Sequence, residues 1–228
     1  MLKNQSPASF VTEFLHEQPY QMYDWQWRFI NEILIPQYYV HGVVKGRQIG
    51  FSSLMVDLMV HNSLTKSSHV SMMIVIQRVV AHNLLSWCLD RITCLETKTG
   101  MDLIASQTNN GVTLVNGSKI TFKTCHTDAG KGEHVHLLIF DEAAFMPHFN
   151  DVWLAMFPTV GPDGKIILGS TPHGKNDFYK HIERLRTSNV FLVHEIPSSA
   201  VHSPAWINQD SHLFTPDHLA AEHECKFI

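Results

Sequence analysis

The chain has 228 residues, enough for one large domain or two small ones around a substantial core. Its 17 Lys+Arg against 21 Asp+Glu leave a net charge of −4, which excludes a uniformly basic nucleic-acid coat, so any DNA contact has to be a local patch or come from another domain or subunit. With 44% hydrophobic residues, no apolar run near the roughly 18 residues of a membrane span and no apolar signal core after Met1, a soluble globular protein is expected, neither membrane-bound nor exported.

Residues 7–18 and 24–35 read as helices, the second with Asp24 as N-cap, Trp25, Phe29, Ile33 and Leu34 at helical spacing, and Pro36 closing it. Val40 to Val44 reads as a strand, residues 45–53 as a loop, and Leu54 to Leu64 as a helix. Val70 to Ile76 forms a second apolar strand, and residues 79–97 carry Val79, Leu84, Leu85, Leu89, Ile92 and Leu95 on a helix. From residue 111 the period changes to two, and Val112, Leu114, Asn116-Gly117, Ile120 and Phe122 predict a hairpin with an Asn-Gly turn. Residues 135–140 are a continuous apolar strand ending in Asp141-Glu142. Lys165 to Gly169 is another, followed by Ser170-Thr171-Pro172 and a helix over 175–186. Val190 to Ile196 is a further strand, residues 197–214 are loop-rich, and Thr215-Pro216 opens a final helix. Apolar strands alternating with helices predict a mostly parallel sheet covered on both faces.

Three stretches carry chemistry. Lys45-Gly46-Arg47-Gln48-Ile49-Gly50-Phe51-Ser52-Ser53 reads as a phosphate-binding loop with Lys45 where the first glycine usually stands and Phe51 where the lysine usually stands. A loop wrapped around a phosphate brings its ends together, so a lysine at the entrance can aim at the same oxygens as one at the exit. The following helix start adds free N–H groups and a positive dipole end. Asp141 and Glu142 at a strand end suit an Mg-ATP hydrolase: Asp141 with Ser52 for the Mg²⁺ shell, Glu142 for the attacking water. The plainer reading is a buried strand meeting a solvated acidic turn. Ser170-Thr171 can hydrogen-bond a γ-phosphate or its water; the plainer reading is an ordinary strand-to-helix turn. All three stretches at strand ends, in this order, point to nucleotide hydrolysis.

These residues resemble the ATPase domain of the large terminase subunit, the DNA-packaging motor of tailed phages and herpesviruses. The resemblance runs from about Trp25 to about Phe227. It rests on Lys45-x-Arg47-Gln48-x-Gly50-x-Ser52, Asn116-Gly117-Ser118, Gly130-Lys131-Gly132, Asp141-Glu142-Ala143-Ala144-Phe145, and Gly169-Ser170-Thr171-Pro172 with Phe178-Tyr179. It implies a RecA-like P-loop NTPase of α/β class with an added β-hairpin, one ATPase domain over 1–228. Within it, 1–39 would be a helical segment, 40–196 the core, and 197–228 a segment leading toward a nuclease domain that this chain lacks. Lys45 would neutralise β/γ-phosphate charge, Gly46, Gln48 and Gly50 would lend backbone donors, and Arg47 would act as an internal arginine finger or, alternatively, pair with a neighbouring acid. Residues Lys45 to Ser53, including Ile49, Phe51 and Ser53, form the nucleotide-binding stretch. Gln26 matches an adenine-contacting glutamine or is a solvated helix residue, and Ser170 with Thr171 match a coupling motif between hydrolysis and DNA movement.

The same resemblance implies ATP and Mg²⁺ as cofactors, and double-stranded DNA, a portal protein and a small terminase subunit as partners. It also implies a homo-oligomeric ring on the capsid and a location in host cytoplasm, transiently at that capsid. Gln77-Arg78 departs from the pattern by lacking a small hydroxyl residue, and no second acidic cluster follows, so nuclease activity is not expected. A helicase-like or restriction-type translocase shares the three elements, and Phe51 motivates a third possibility, a non-catalytic nucleotide-binding assembly module. Elsewhere, His134-Val135-His136 offers a metal pair without a third ligand. Trp25, Trp27, Tyr38 and Tyr39 offer stacking or packing, Lys175 to Arg186 a basic or merely solvated face, and Thr127 to Gly132 a Gly-rich loop that could gate the site.

Overall fold

The computed structural model describes residues 6–16, 21–130 and 132–228. Strands β1 (Val40–Lys45), β2 (Val70–Val75), β3 (Ile104–Thr108), β4 (Gly111–Leu114), β5 (Lys119–Thr124), β6 (Val135–Asp141), β7 (Val160–Ser170) and β8 (Phe191–Ile196) form one sheet in the order β3-β4-β5-β2-β6-β7-β1-β8. From β5 to β8 the pairs are parallel; β3-β4-β5 is an antiparallel extension. Helices α1 (Pro7–Phe14), α2 (Asp24–Ile33), α3 (Phe51–Thr65) and α4 (Arg78–Thr99) precede β3, and α5 (Phe149–Met156), α6 (Asp177–Arg186), α7 (Pro204–Gln209) and α8 (Pro216–Glu224) follow β6.

The central strands β1, β2 and β6 are largely apolar because both faces are covered, yet their residues still divide with period two. Val43, Met73, Leu137 and Ile139 face a core shared with α1 to α4, while Val44, Met72, Leu138 and Phe140 face one shared with α5 and α6. Helix α3 is apolar on nearly every side and is buried accordingly. Its single buried charge, Asp57, accepts from Arg91 Nε on α4 at 3.0 Å and lies 3.3 Å from His16 Nε2.

Several expectations need correction. Asp24 is the first residue of α2 and Tyr23 its N-cap, with the Gln26 side chain accepting from Tyr23 N–H at 3.0 Å. Val79 is 59% exposed, since α4 turns only one face inward and carries it on the other. Strand β7 begins at Val160, five residues before its apolar run, and β3 and α5 escaped notice because one is largely polar and the other short. The loop-rich stretch contains α7, capped by Ser203 with Pro204 at its first position. The first helix closes at Phe14; residues 17 and 18 of its expected span lie outside the described residues. The Asn-Gly hairpin forms as read, with Gly117 at φ 82° and the Asn116 amide donating to Ser63 O at 2.8 Å, which docks the turn on the end of α3.

Among the sixteen histidines, two stack within the sheet. His41 on β1 and His194 on β8 have Nδ1 and Nε2 3.2 Å apart, with Phe29 packed edge-on against both. Burial, then the neighbouring His194 and Lys165, push His41 down to about 3, and burial pushes His194 down to about 4. Both lie below the roughly 6.5 of an unfolded histidine, so their neutral, folded form contributes stability above that pH and loses it as pH falls toward 4. Thermal unfolding followed from pH 7 to 4 should show a falling midpoint, with a shallower fall in His41→Asn.

Candidate functional site

Register brings the three chemical stretches to one edge of the sheet. Gly169 on β7 pairs with Asp141 on one side and Val43 on the other, and Val44 pairs with Ser170. The carboxyl ends of β6, β7 and β1 therefore lie side by side, with β7 between the acidic strand and the loop strand. A cleft of about 380 Å³ opens there, lined in part by Lys45, Arg47, Gln48, Glu142 and Thr171. Ile76, Phe145 and Glu222 complete the lining; Phe145 belongs to the acidic-strand motif, while Glu222 stands too far along the chain to be associated with the site from sequence.

Phe51 does not face this cleft. Its ring is buried in the core against Gly169, where a Cβ would collide with it. The Lys45 ammonium stands 5.7 Å from that ring's centroid and 2.5 Å from Glu142 Oε1. A lysine entering from the loop's start thus reaches the acidic strand end while position 51 packs the loop onto β7.

Glu142 has left-handed backbone (φ 60°, ψ 46°), a conformation that costs a non-glycine residue about 1–3 kcal/mol and persists only when its surroundings enforce it. Here Thr171 N–H donates to Oε2 at 3.3 Å, Ser170 Oγ lies 3.2 Å from the same oxygen, and Lys45 holds Oε1. Ser170 Oγ also accepts from Ala144 N–H at 3.1 Å, tying the end of β7 to the turn after β6.

Asp141 is buried, and its Oδ2 accepts from Ser52 Oγ at 2.6 Å. Oδ1 is equally buried and has no hydrogen-bond partner among the described residues. Burial raises the Asp141 carboxyl above the usual range, Lys45 works against that rise, and Glu142 adds to it. An orphaned carboxylate oxygen beside a serine hydroxyl fits a hard divalent cation, whose ligands are oxygens. Among the described residues no group of three or more His, Cys, Asp or Glu is arranged to hold a metal, so His134 and His136, whose rings meet edge-on at 4.9 Å, gain no third ligand.

The remaining loop residues have structural partners. Ile49 is buried in the core, Gly50 is left-handed at φ 80°, and Ser53 Oγ accepts from Arg91 at 3.3 Å, away from the cleft. Gly46 N–H is taken by Ile196 O at 2.8 Å, so it is not available to a phosphate in this conformation, contrary to expectation. The Arg47 guanidinium lies 3.4 Å from Glu222 and 3.8 Å from Asp210, the acid-paired alternative for this residue. Gln26 is fully buried rather than solvated, and its Nε2 donates to Gly50 O at 3.4 Å, so it braces the loop as well as capping α2. Trp25 packs in the core while Trp27 is exposed. Over residues 175–186, Lys180 pairs with Asp177 at 2.9 Å and Arg186 with Glu183 and Glu195, so two of the four Lys and Arg side chains are held by acids. In the Gly-rich loop Lys131 lies outside the described residues, and Ala129 O accepts from Lys123 Nζ at 2.6 Å.

A strand set between the strand leading into the Lys45 loop and the acidic strand, on a mostly parallel sheet with helices on both faces, defines a RecA-like α/β fold. The model of the family described as terminase large subunit, T4likevirus-type, N-terminal, matches residues 43–228, and the chain belongs to that family. Its fold is similar to the Thermus phage P74-26 large terminase ATPase domain at 19% identity and a TM-score of 0.76, over 99% of this chain and 100% of that one. It is also similar to the HK97 bacteriophage large terminase (14% identity, TM-score 0.72), over 96% of this chain and 50% of that one. The large terminase of a thermophilic bacteriophage in complex with ADP (12% identity, TM-score 0.69) matches over 91% of this chain and 54% of that one. The chain thus spans about half the length of the last two proteins. No helix among the described residues is long and apolar enough to cross a membrane.

Proposed function

We propose that this domain binds and hydrolyses ATP at the β6-β7-β1 edge, and that hydrolysis drives double-stranded viral DNA into a capsid. The observation that carries this reading is the Lys45 ammonium meeting the Glu142 carboxylate beside the Asp141–Ser52 pair. Lys45 would exchange Glu142 for the β/γ-phosphate oxygens, and the freed Oε1 would accept a proton or hydrogen bond from the attacking water. Gln48, Ile49 and the first turn of α3 would supply backbone N–H donors. Asp141 and Ser52 would hold Mg²⁺, which when bound offsets phosphate charge. Ser170 and Thr171 grip Glu142 and would report loss of the γ-phosphate to the chain after β7. Arg47 would act on the nucleotide only after leaving its acidic partners, and Gln26 would read adenine only after exchanging its present bonds. Membership of the large terminase family supports DNA packaging, with a portal protein, a small terminase subunit and further copies of this chain in a ring as partners, in host cytoplasm and transiently at the capsid. The assembly-module reading rested on Phe51, and Lys45 would supply the charge whose absence motivated it.

Purified protein should turn over ATP with Mg²⁺ and cease when the metal is chelated. Lys45→Ala should lower turnover at least about a hundredfold, the usual cost of losing a charge-stabilising group. Unchanged turnover in that variant, or bound nucleotide with the Lys45 amine in solvent, would overturn the assignment.

A further inference from the structure

Four backbone groups of Gly46, Arg47 and Gln48 in the phosphate loop are tied to residues at or beyond the end of β8. Gly46 N–H donates to Ile196 O, and Arg47 N–H donates to Glu222 O at 2.9 Å. Arg47 O accepts from Ser198 Oγ at 3.4 Å, and Gln48 O lies 3.0 Å from His202 Nε2. In a trans peptide the C=O and N–H point in opposite directions. Holding the Arg47 and Gln48 carbonyls on Ser198 and His202 therefore points the N–H groups of Gln48 and Ile49 away from those partners, and Gln48 itself lines the cleft. Gln48 needs such restraint, because it has φ 51° without being glycine.

Ser198 is the shared point of this clamp. Its Oγ also lies 3.1 Å from His223 Nδ1, and His223 Nε2 lies 3.1 Å from Asp210 Oδ2. Ser198 is fully buried and His223 nearly so, which leaves this Ser-His-Asp row no access to a substrate and no role as a nucleophile. Its consequence lies in the count of protons. Asp210 accepts, so Nε2 carries a hydrogen. A neutral ring then leaves Nδ1 bare, and Ser198 spends its single hydroxyl proton on it. A charged ring donates from Nδ1 to Ser198 Oγ and releases the hydroxyl proton to Arg47 O.

We propose that His223 is a positioning residue for the phosphate loop: oriented by Asp210, it decides whether Ser198 donates to the ring or to the Arg47 carbonyl, and so whether Gln48 N–H is held toward the phosphates. The inference rests on nucleotide binding at this cleft, as proposed above. Asp210 Oδ2 is shared, since Arg47 reaches the same oxygen at 3.8 Å with Glu222 beside Arg47, and the Trp206 ring stands perpendicular to the His223 ring at 5.8 Å. Because coupling is reciprocal, nucleotide that prefers the clamped loop also prefers the charged ring.

The test is the KM for ATP of wild type, Ser198→Ala and His223→Gln from pH 6 to 8, with each variant compared with wild type at the same pH so that titration of ATP itself cancels. Where the ring is charged both variants should show KM raised roughly three- to tenfold, the effect of one hydrogen bond, with little change in kcat and convergence toward wild type where it is neutral. Equal KM at every pH would overturn the proposal. So would parallel losses of kcat, KM and thermal midpoint at every pH, which would mark a merely structural contact. A second readout needs no hydrolysis. In nucleotide-free protein, Ser198→Ala should shift the His223 ring nitrogens and the Gln48 amide in NMR spectra. Unmoved signals would refute the relay even if the enzyme is active, and absent turnover with moved signals would count against the ATPase reading alone.

Discussion

Replacing Glu142 with glutamine should cut ATP turnover at least about a hundredfold while nucleotide binding is kept or tightened. The amide has the carboxylate's size and can still accept from Thr171 N–H, so the strained turn at Glu142 keeps a partner. It loses the charge that would orient or deprotonate water. It also loses its hold on Lys45, which lies 2.5 Å from Oε1 and becomes freer to meet phosphate. Single-turnover hydrolysis and binding of a non-hydrolysable analogue separate the two effects. Wild-type hydrolysis in Glu142→Gln would remove the residue from the chemistry, and a parallel collapse of binding would assign it to folding of the loop.

The second large effect comes from restoring the usual lysine of the loop. Phe51→Lys should destabilise the domain by at least about 3 kcal/mol, the lower range for removing a buried aromatic ring. The new ammonium would have to enter a core bounded by Gly169, beside the existing Lys45 ammonium. For a chain of this size such a loss corresponds to a fall of roughly 6–12 °C in the unfolding midpoint. Phe51→Leu, which keeps an apolar side chain, should fall much less. A Phe51→Lys protein with the midpoint and turnover of wild type would show that position 51 faces the cleft after all.

The loop's departure from the usual pattern also illustrates how far the sequence could be read. Lys45, Gly50 and Ser52 are recognisable because a strand, a tight turn and a helix start are consecutive along the chain. Asp141-Glu142 and Ser170-Thr171 are recognisable because apolar runs stop at them. The Asn116-Gly117 turn is legible for the same reason, since its φ > 0 requirement selects residues locally. By contrast, α7 lay in a stretch read as loop although Ser203-Pro204 is a cap signal, and β3 lacks alternation because most of it is exposed.

Arg47 and Gly46 mark the limit more sharply. Their partners at Ile196, Ser198, Asp210 and Glu222 stand far along the chain, Ser198 being 151 positions from Arg47. The expectation that 197–228 leads toward a nuclease domain points elsewhere, and no local pattern encodes such contacts. The Cys225 thiol, 3.3 Å from Val44 O and pushed by burial up to about 12, belongs to the same return of the chain onto β1.

Residue order alone set which elements form and which of them end in phosphate-, metal- and water-directed groups, because hydrogen-bonding periodicity and turn chemistry act over a few residues. It took the assembled fold to put β7 between the acid and the lysine, to turn Phe51 into the core, and to make the last thirty or so residues grip the loop from behind. Those outcomes depend on packing and proton sharing between segments distant in the chain, where many sequences satisfy the same local rules and only the assembled neighbours select among them.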